Sequence, residues 1–414
     1  MMMPCNPNYY NLVYSSSYNT HAERPVPRQV GVRMTSDSDL YVYVNNKKLR
    51  RGHTTGTCAA AASRGAAEAI LTGKDVTHVP IRTPKGISLD LPTEDLSFDK
   101  VHGRCAVRKD GGDDIDATHG TLVYADVTLI DSGIEIDGGF GVGRVTRKGL
   151  DQPPGNAAIN RVPRSMITEA LQDLAASLGY TGGFSVVISV PEGLTIAQKT
   201  FNPRLGIEGG ISILGTSGIV EPMSETAIVD TIRTEMRMKA AGGSRTLLIV
   251  PGNYGKDFSA EIGGLDSESA VKCSNFVGEM LDCACELGTD IVLVSNLGKI
   301  VKVAGGIMNT HSRNADSRME ILASNSAVVG ADIDTVRRIM GCISTDDALD
   351  IIQEAGLMDK VSKILLEKIE YYMNHRTGGA IRTSAVIFSS KYGLLGKTSL
   401  ADEMISEIAK EASQ

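Results

Sequence analysis

The sequence predicts an α+β domain followed by an α/β domain with a mainly parallel sheet. In the first half, short strand-like segments are joined by polar turns and accompanied by two helical patterns, which is typical of hairpins packed on helices. From about residue 221, continuous Leu, Ile and Val segments alternate with helices, which indicates a buried parallel sheet. We therefore expect an N-terminal extension over 1–48, an α+β domain over 49–220 and an α/β domain over 221–414. The last strand and helix fit either domain.

Composition excludes several classes of protein. The chain has 414 residues, 42% hydrophobic and 22% charged, and a formal net charge of −7. That balance is typical of soluble globular domains and excludes wholesale disorder. Aliphatic runs of four or five residues are too short to span a bilayer, so we expect no membrane segment. The acidic total argues against nucleic acid as a partner.

The seven cysteines are scattered and contain no C-x-x-C pair, which favours a reducing cytoplasm over a disulfide framework. Cys283 and Cys285 fall in a helical pattern, where residues two apart do not share a face, so a metal chelate from that pair is not expected. Residues 1–48 are rich in Tyr, Asn, Ser and Pro, show no apolar period and lack the features of a secretory signal. We expect this extension to be poorly ordered and assign it no function.

The elements of the first domain follow from caps, turns and periodicity. A helix begins after Thr54, runs through an alanine-rich stretch and ends at Gly73. Residues 76–83 and 87–91 predict one hairpin, and residues 104–108 and 121–130 predict another across the polar turn 109–120. A second helix is predicted from Pro163, as its first residue, to Leu178, and a strand over 184–190.

In the second domain, strands are predicted over 246–250, 291–294 and 385–388, and helices over 224–241, 268–287 and 400–412. Two of these strands run directly into polar glycine loops, over 250–255 and 294–299, and the second loop is followed by the glycine-containing stretch 303–312. Ligands of open α/β sheets lie at the carboxyl ends of the strands, so a ligand site is favoured over tight turns alone. Neither loop fits the dinucleotide or P-loop pattern.

Residues 141–164 are locally basic, with five Arg and Lys side chains against one Asp, and Lys199 and Arg204 add to them. Arginine binds carboxylate and phosphate in a bidentate manner, so this segment suits a polyanionic small molecule. A solvated surface with ion pairs explains the same pattern equally well.

Three further features indicate a functional site less specifically. Thr54 and Thr55 either cap their helix or hold an anion at its N-terminus, where the pKa of Cys58 could also be lowered. The acidic turn, which we define as residues 109–120, contains four aspartates and His119, and it favours Asx turns over a metal site. His311 is the best lone residue for acid–base work, with polar packing as its alternative.

Eight ordered segments of the chain together resemble the CbiD family of cobalt-precorrin-5B C(1)-methyltransferases. They span residues 49–62, 109–120, 139–146, 158–164, 200–216, 219–223, 274–281 and 298–312. The segment 200–216, Thr-Phe-Asn-Pro-Arg-Leu-Gly-Ile-Glu-Gly-Gly-Ile-Ser-Ile-Leu-Gly-Thr, is the longest and most specific match. The resemblance covers roughly residues 49 to 400, which a single-motif coincidence would not produce.

The resemblance implies methylation of carbon 1 of cobalt-precorrin-5B, with S-adenosylmethionine as methyl donor, on the anaerobic route to cobalamin. It implies no protein-bound metal, because cobalt arrives within the anionic tetrapyrrole, and a fold other than the common Rossmann-like methyltransferase arrangement. A homo-oligomer and transient contacts with neighbouring pathway enzymes are also expected.

Under this resemblance, three sets of residues are expected to form the site. The catalytic set comprises Asp114, His119 and His311. The donor-binding set comprises Gly252, Asn253, Gly255, Asn275, Gly298, Lys299, Gly305 and Gly306. The substrate-binding set comprises Thr54, Thr55, Arg144, Arg147, Arg161, Arg164, Arg204 and Asn309.

One position departs from the family pattern. Where the family commonly reads Gly-His-Ile-Gly-Lys, this chain reads Ser295-Asn-Leu-Gly-Lys299. An essential histidine base could not be replaced by Asn296, so a catalytically silent corrinoid-binding or pathway-channelling protein is the alternative. A third interpretation is a phosphate-ligand enzyme that uses the helix start at Gly298 and Lys299.

Overall fold

The computed structural model describes residues 37–44, 46–200, 202–261 and 265–412, and Thr35–Gln414 form a compact unit of their own. Most of the expected extension lies outside the described residues. A short helix α1 (Asp37–Leu40) leads into strands β1 (Tyr41–Val44) and β2 (Lys47–Arg50), which pair as an antiparallel hairpin. Ordered structure therefore begins before residue 49, where we had expected its start.

The first half is built around a helix that the sequence predicts closely. After β3 (Gly52–His53), helix α2 (Thr55–Thr72) begins at the Thr54 cap and ends at Gly73, whose φ of 66° is the left-handed conformation that glycine adopts easily. Its small buried side chains let it pack closely on helix α3 and on the sheet below. Strands β4 (His78–Arg82) and β5 (Ser88–Pro92) form the first predicted hairpin.

Five strands of the described chain form the first sheet, in the order β6-β7-β8-β12-β9. The second predicted hairpin is confirmed as β7 and β8, while the parallel pairing of β9 with β12 is a feature that the sequence did not indicate. The strands and the following helix are β6 (Glu94–Phe98), β7 (His102–Arg108), β8 (Leu122–Ile130), β9 (Ile134–Gly138), β10 (Gly141–Val142), β11 (Arg144–Val145), α3 (Arg161–Leu178) and β12 (Gly183–Ser189).

Short pairings follow and join distant parts of the first half. Helix α4 (Gly193–Ala197) precedes β13 (Ile207–Glu208), β14 (Gly210–Ile211) and β15 (Ile219–Val220). Strand β14 pairs with β10, β13 with β11, and β15 with β3, so residues 207–211 lie along residues 141–145 and residues 219–220 return to the start of α2.

The second sheet has the order β17-β16-β18-β19-β20, and within the described residues its first four strands are parallel while β20 runs antiparallel to β19. Alternate residues of the central strands enter two different cores. Ile249 and Leu293 face helices α5 (Glu225–Ala241) and α7 (Val277–Leu287), whereas Leu248 and Val292 face α13 (Ala401–Ala412). Burial on both faces explains the continuous aliphatic runs. The last strand and helix, which fitted either domain, pack in this sheet.

The elements of this half are α5 (Glu225–Ala241), β16 (Thr246–Val250), α6 (Asn253–Glu261), β17 (Val271–Lys272), α7 (Val277–Leu287), β18 (Asp290–Asn296), α8 (Leu297–Ile300), α9 (Arg318–Val328), α10 (Ile333–Met340), α11 (Thr345–Glu354), α12 (Met358–Thr377), β19 (Thr383–Ser389), β20 (Gly393–Lys397) and α13 (Ala401–Ala412). None of the helices in the described ranges is long and apolar enough to cross a membrane.

Two sequence expectations were wrong in detail. The predicted helix over 268–287 contains a 3₁₀ turn (Ser267–Ser269), strand β17 and a loop before α7 begins at Val277. Residues 271–272 are drawn into the sheet edge beside Ile249 and Val250, and a tertiary pairing of this kind overrides local helical periodicity. Helix α3 begins at Arg161, so Pro163 is its third residue, still within the turn whose N–H groups lack helical partners.

Candidate functional site

The acidic turn is held in place by its own charges. The Arg50 guanidinium donates to Asp110 at 2.8 Å and lowers the pKa of that carboxyl to about 2. Lys109, whose side chain is only 2% exposed, lies 2.7 Å from Asp116. Burial alone would raise the pKa of Asp116, but the Lys109 ammonium outweighs it and the pKa lies below its usual value. Asp110 and Asp116 therefore each have a cationic partner, which is Arg50 of β2 for the first and Lys109 of the turn itself for the second.

Two of the predicted catalytic residues belong to this turn and have structural partners there. The His119 Nδ1 atom accepts the Gly111 N–H at 3.0 Å. An Asp114 oxygen accepts the N–H of Met223 at 3.2 Å, which fixes the turn to the segment that leads into α5. Both groups lie far along the chain from His311, the third predicted residue.

At the N-terminus of α2, the side chains of Thr54 and Thr55 form hydrogen bonds with groups of the protein itself. The Thr54 hydroxyl accepts the Thr57 N–H, and the Thr55 hydroxyl donates to the Leu214 carbonyl and accepts the Leu214 N–H. Burial raises the pKa of the Cys58 thiol to about 12, so the lowered value considered for it was wrong. These residues hold the 214–218 segment against the helix.

The basic segment separates into engaged and unengaged cations. Arg144 makes a bidentate pair with Asp137, at 2.8 Å for each bond, and Arg164 donates to the carbonyls of Ile159 and Ile136. Arg161 is exposed at the start of α3. Arg147 and Arg204 line a common cavity, where Arg204 contacts Glu268 at 3.3 Å and Arg147 has no carboxylate partner within the described chain.

This cavity, which we call the basic cavity, has a volume of about 680 Å³. One wall comes from Arg147, Lys148 and Arg204, and the other from Glu235 and Lys239 of α5 together with Glu268. The four cations outnumber the two carboxylates. Sequence reasoning found Arg147 and Arg204 but missed Glu235 and Lys239, because a Glu–Lys pair four residues apart is commonplace on a solvated helix face.

Most of the donor-binding set lies at the carboxyl edge of the second sheet, which we call the crevice. Residues 250, 272, 296 and 389 end neighbouring parallel strands, so the loops that follow them share one edge. A Cβ on Gly255 would lie 2.8 Å from the Val294 carbonyl oxygen, so only glycine fits there. Lys272 donates to the Asn253 side chain at 2.7 Å.

The far side of the crevice is formed by two loops that meet. The Asn275 carbonyl accepts the Thr310 N–H at 2.9 Å, and Phe276 and Asn309 form a β-bridge. Ser274 has a φ of 53°, a strained backbone conformation for a residue other than glycine. Asn275 and Asn309, predicted for donor and substrate respectively, are thus neighbours.

Lys299 lies half-buried in the crevice beside the buried Cys273 thiol. Burial lowers the pKa of Lys299, while Cys273 acts in the opposite direction. Among the described residues, its ammonium has no carboxylate partner. A half-buried cation without a counter-ion favours an anionic ligand at this point.

The remaining glycines have internal explanations. The Gly298 N–H is taken by the Asn296 side chain at 2.8 Å, so the start of the four-residue helix α8 is already capped, which weakens the phosphate interpretation. A Cβ on Gly305 would lie 2.6 Å from Ile321, and Gly306 ends a 3₁₀ turn with a φ of 78°. Chain direction therefore explains Gly306, and close packing against the Ile321 side chain explains Gly305.

His311 lies exposed at the end of the Asn309 loop. The Asn309 side chain accepts the His311 N–H at 3.1 Å, and His311 Nδ1 accepts the Arg313 N–H at 3.1 Å. Lys302, which sequence reasoning did not select, is buried and donates to the Thr310 carbonyl at 3.0 Å, so it holds this loop in place. No cluster of His, Cys, Asp or Glu suited to a metal ion occurs in the described parts of the chain.

Comparisons with known proteins agree over both halves of the chain. A family profile described as CbiD matches residues 42–222, and one described as CbiD, C-terminal domain, matches residues 309–399. A cobalt-precorrin-5B C(1)-methyltransferase of Ruminiclostridium cellulolyticum is 46% identical over 380 residues, which cover 90% of this chain and 99% of that protein. Its counterpart in Alkaliphilus metalliredigens is 44% identical over 377 residues, with 90% and 98% covered.

A crystal structure of the cobalamin biosynthesis protein cbiD from Archaeoglobus fulgidus is 29% identical, covers 68% of this chain and 88% of its own, and superimposes with a TM-score of 0.38.

Proposed function

Because this chain belongs to the CbiD family, we propose that it transfers a methyl group from S-adenosylmethionine to carbon 1 of cobalt-precorrin-5B, giving cobalt-precorrin-6A in anaerobic cobalamin biosynthesis. The observation that carries this proposal is identity of 46% over almost the whole length of a relative with that name. The free cysteines among the described residues favour a cytoplasmic setting for the reaction.

The crevice suits the methyl donor. S-adenosylmethionine carries a transferable methyl on a positively charged sulfur and has a carboxylate and several hydrogen-bonding groups. Lys299 offers an unpaired ammonium for a carboxylate, and Asn253 and Asn275 offer amide groups at the same edge. Gly252 leaves open space, since a Cβ built there meets nothing within 4 Å. We propose that these four residues hold the donor.

Methyl transfer to carbon requires the protein mainly to position the methyl donor and the acceptor relative to each other. A displacement at a methyl group is accelerated when the attacking carbon is held close to and in line with it, and no protein nucleophile is needed. If a proton must leave, we propose His311 before Asp114 and His119. It is exposed at the end of the loop whose Asn309 pairs with the crevice loop, and its Nδ1 contact leaves Nε2 for the substrate, whereas Asp114 and His119 belong to the acidic turn of the first half.

The test is anaerobic incubation of the purified protein with cobalt-precorrin-5B and methyl-labelled S-adenosylmethionine, followed by mass spectrometry of the tetrapyrrole. We expect one labelled methyl at carbon 1, and none when the donor is omitted. Tight tetrapyrrole binding without transfer of the label would overturn the proposal in favour of a binding or channelling protein.

The structure gives no support to the silent alternative that Asn296 suggested. The Asn296 side chain caps α8 and its amide also donates to Ser390 at 3.3 Å. Asparagine is among the best N-cap residues, so its presence here has a structural reason that is independent of catalysis.

A further inference from the structure

We propose that the basic cavity binds the peripheral carboxylates of the tetrapyrrole and that Lys239 is a recognition residue for them, together with Arg147 and Lys148. This inference rests on the proposed function, because it names the site of that reaction's acceptor. It narrows the predicted substrate-binding arginines to Arg147, keeps Lys148 of the basic segment, and adds Lys239, which the sequence did not indicate.

The first argument is that Lys239 is half-buried and makes no ion pair within the described chain. Its side chain is half-buried on α5 and faces the cavity. Burial lowers the pKa of this ammonium, which means that its surroundings do not fully compensate the charge. Glu235 and Asp266 are near enough to act on it electrostatically, yet within the described chain it makes no ion pair with either. A ligand carboxylate would supply the missing partner.

The second argument is the state of Glu235, one helical turn before Lys239. Burial raises the pKa of Glu235, with Lys239, Arg204 and Lys272 acting against that change. Glu235 is likewise outside any ion pair among the residues described. Two opposite charges at i and i+4 usually pair on a helix surface. Here both face the cavity separately, which keeps Lys239 available to an anion.

The third argument is that the other cations of the basic segment fall into two groups, those that already have a partner and those that have none in the described chain. Arg144 and Arg164 are engaged with Asp137 and with carbonyl groups, as described above. Arg204 contacts Glu268 at 3.3 Å. Arg147 and Lys148 have no anionic partner in the described chain, and the stem of Arg147 lies over Gly206, where a Cβ would come within 2.6 Å of it. Three unpaired cations in one concavity fit a ligand with several carboxylates.

The fourth argument is position. Lys272, which acts electrostatically on Glu235, also donates to Asn253 in the crevice. Glu268 lines the cavity and is bonded at 2.5 Å by Lys256 of α6, the helix that follows the Gly252 loop. The cavity therefore borders the proposed donor site, as a reaction between two bound molecules requires. Its volume of about 680 Å³ is within the usual range for small-molecule sites.

The experiment compares Lys239→Met with Lys239→Arg and with Lys363→Met, an exposed lysine on α12. Binding of cobalt-precorrin-5B is measured by absorbance titration without donor, and methyl transfer by steady-state kinetics for both substrates. We expect Lys239→Met to raise the Kd and the KM for the tetrapyrrole about tenfold or more, with the KM for S-adenosylmethionine unchanged. Lys239→Arg should restore most of the affinity, and Lys363→Met should match the wild type.

The outcomes separate the two proposals. If the wild type transfers the methyl and Lys239→Met binds the tetrapyrrole normally, the cavity proposal is wrong and the proposed function stands. If the wild type binds but transfers no methyl, and Lys239→Met weakens binding, the cavity proposal stands and the proposed function is wrong. A wild type that neither binds nor methylates the tetrapyrrole overturns both.

Discussion

The acidic turn and the crevice with its basic cavity use charge in opposite ways. In the acidic turn, Lys109 and Asp110 have partners at bonding distance, and even the ring of His119 accepts a backbone N–H. Around the crevice and the cavity, Lys299 and Lys239 are half-buried without a counter-ion in the described chain. The turn is the more conspicuous in sequence, with four aspartates in seven residues.

This contrast between paired and unpaired charges indicates where an anionic ligand would bind. Buried charges that satisfy one another contribute to the fold and have little capacity left for a substrate. Half-buried charges without partners lower the stability of the free protein and gain a partner when an anion binds. On this reasoning, substitutions in the acidic turn reduce stability, whereas substitutions in the crevice and the cavity reduce binding.

The largest expected effect is the loss of the Lys109–Asp116 pair. Asp116→Asn leaves the Lys109 ammonium buried without its counter-ion, and we expect the free energy of unfolding to fall by about 3 kcal/mol. Denaturant unfolding followed by circular dichroism measures this. Asp334→Asn, which removes one partner of an exposed pair with Arg337, should change stability little. Equal small effects for both variants would remove the distinction between the two regions.

The next effect is on donor binding. Lys299→Met should raise the KM for S-adenosylmethionine about tenfold or more, because a charge-assisted contact to its carboxylate is lost. The same variant should unfold at no lower denaturant concentration than the wild type, since burial already opposes the charged form of Lys299. A loss of stability with an unchanged KM would show that Lys299 belongs with the structural charges.

A smaller effect is expected from pH. Burial raises the pKa of Glu235, so this carboxyl is neutral at low pH and becomes charged only above its usual titration range of about 4.5. Its negative charge then competes with an anionic substrate for Lys239, Arg204 and Lys272, which face it. The tetrapyrrole's own carboxyl groups become charged near the ordinary side-chain pKa of about 4.3. Above that range, where they are fully charged, tetrapyrrole binding should weaken as pH rises through the remaining part of the Glu235 titration.

Glu235→Gln tests this dependence directly. Absorbance titrations across the pH range should show a weaker pH dependence for the variant, and binding at high pH at least as tight as that of the wild type. An unchanged profile would mean that Glu235 does not face the bound substrate.

The smallest effect is expected at Asn296. Asn296→His should change the rate of methyl transfer by a factor of about five or less, because the cap that it alters contributes about 1 kcal/mol. Labelled-methyl kinetics compare the two proteins. A large gain in activity would indicate that the natural chain lacks a required histidine and would restore the silent alternative.

Local features of the sequence predicted much of the fold. The Thr54 cap, the alanine run and Gly73 define α2, and the hairpins and the buried strands follow from alternation and aliphatic runs. The failure over 268–287 has a specific cause. Val271 and Lys272 form a strand only because β16 lies beside them, and local periodicity carries no information about that neighbour.

For the site, the amino-acid sequence was sufficient to predict that glycine loops follow β16 and β18, because the order of strand and loop is a property of the chain. It also supplied Lys299 as a cation of the second loop, and Arg147 and Arg204 as members of a separate basic segment. Which cations remain without partners depends on the three-dimensional structure, since pairing is set by distances between segments far apart in the chain. Arg204 meets Glu268, whereas Lys239 lines the same cavity as Arg147, some ninety residues earlier, without an ion pair in the described chain. Folding sets those distances, and they determine which charges remain available to a ligand.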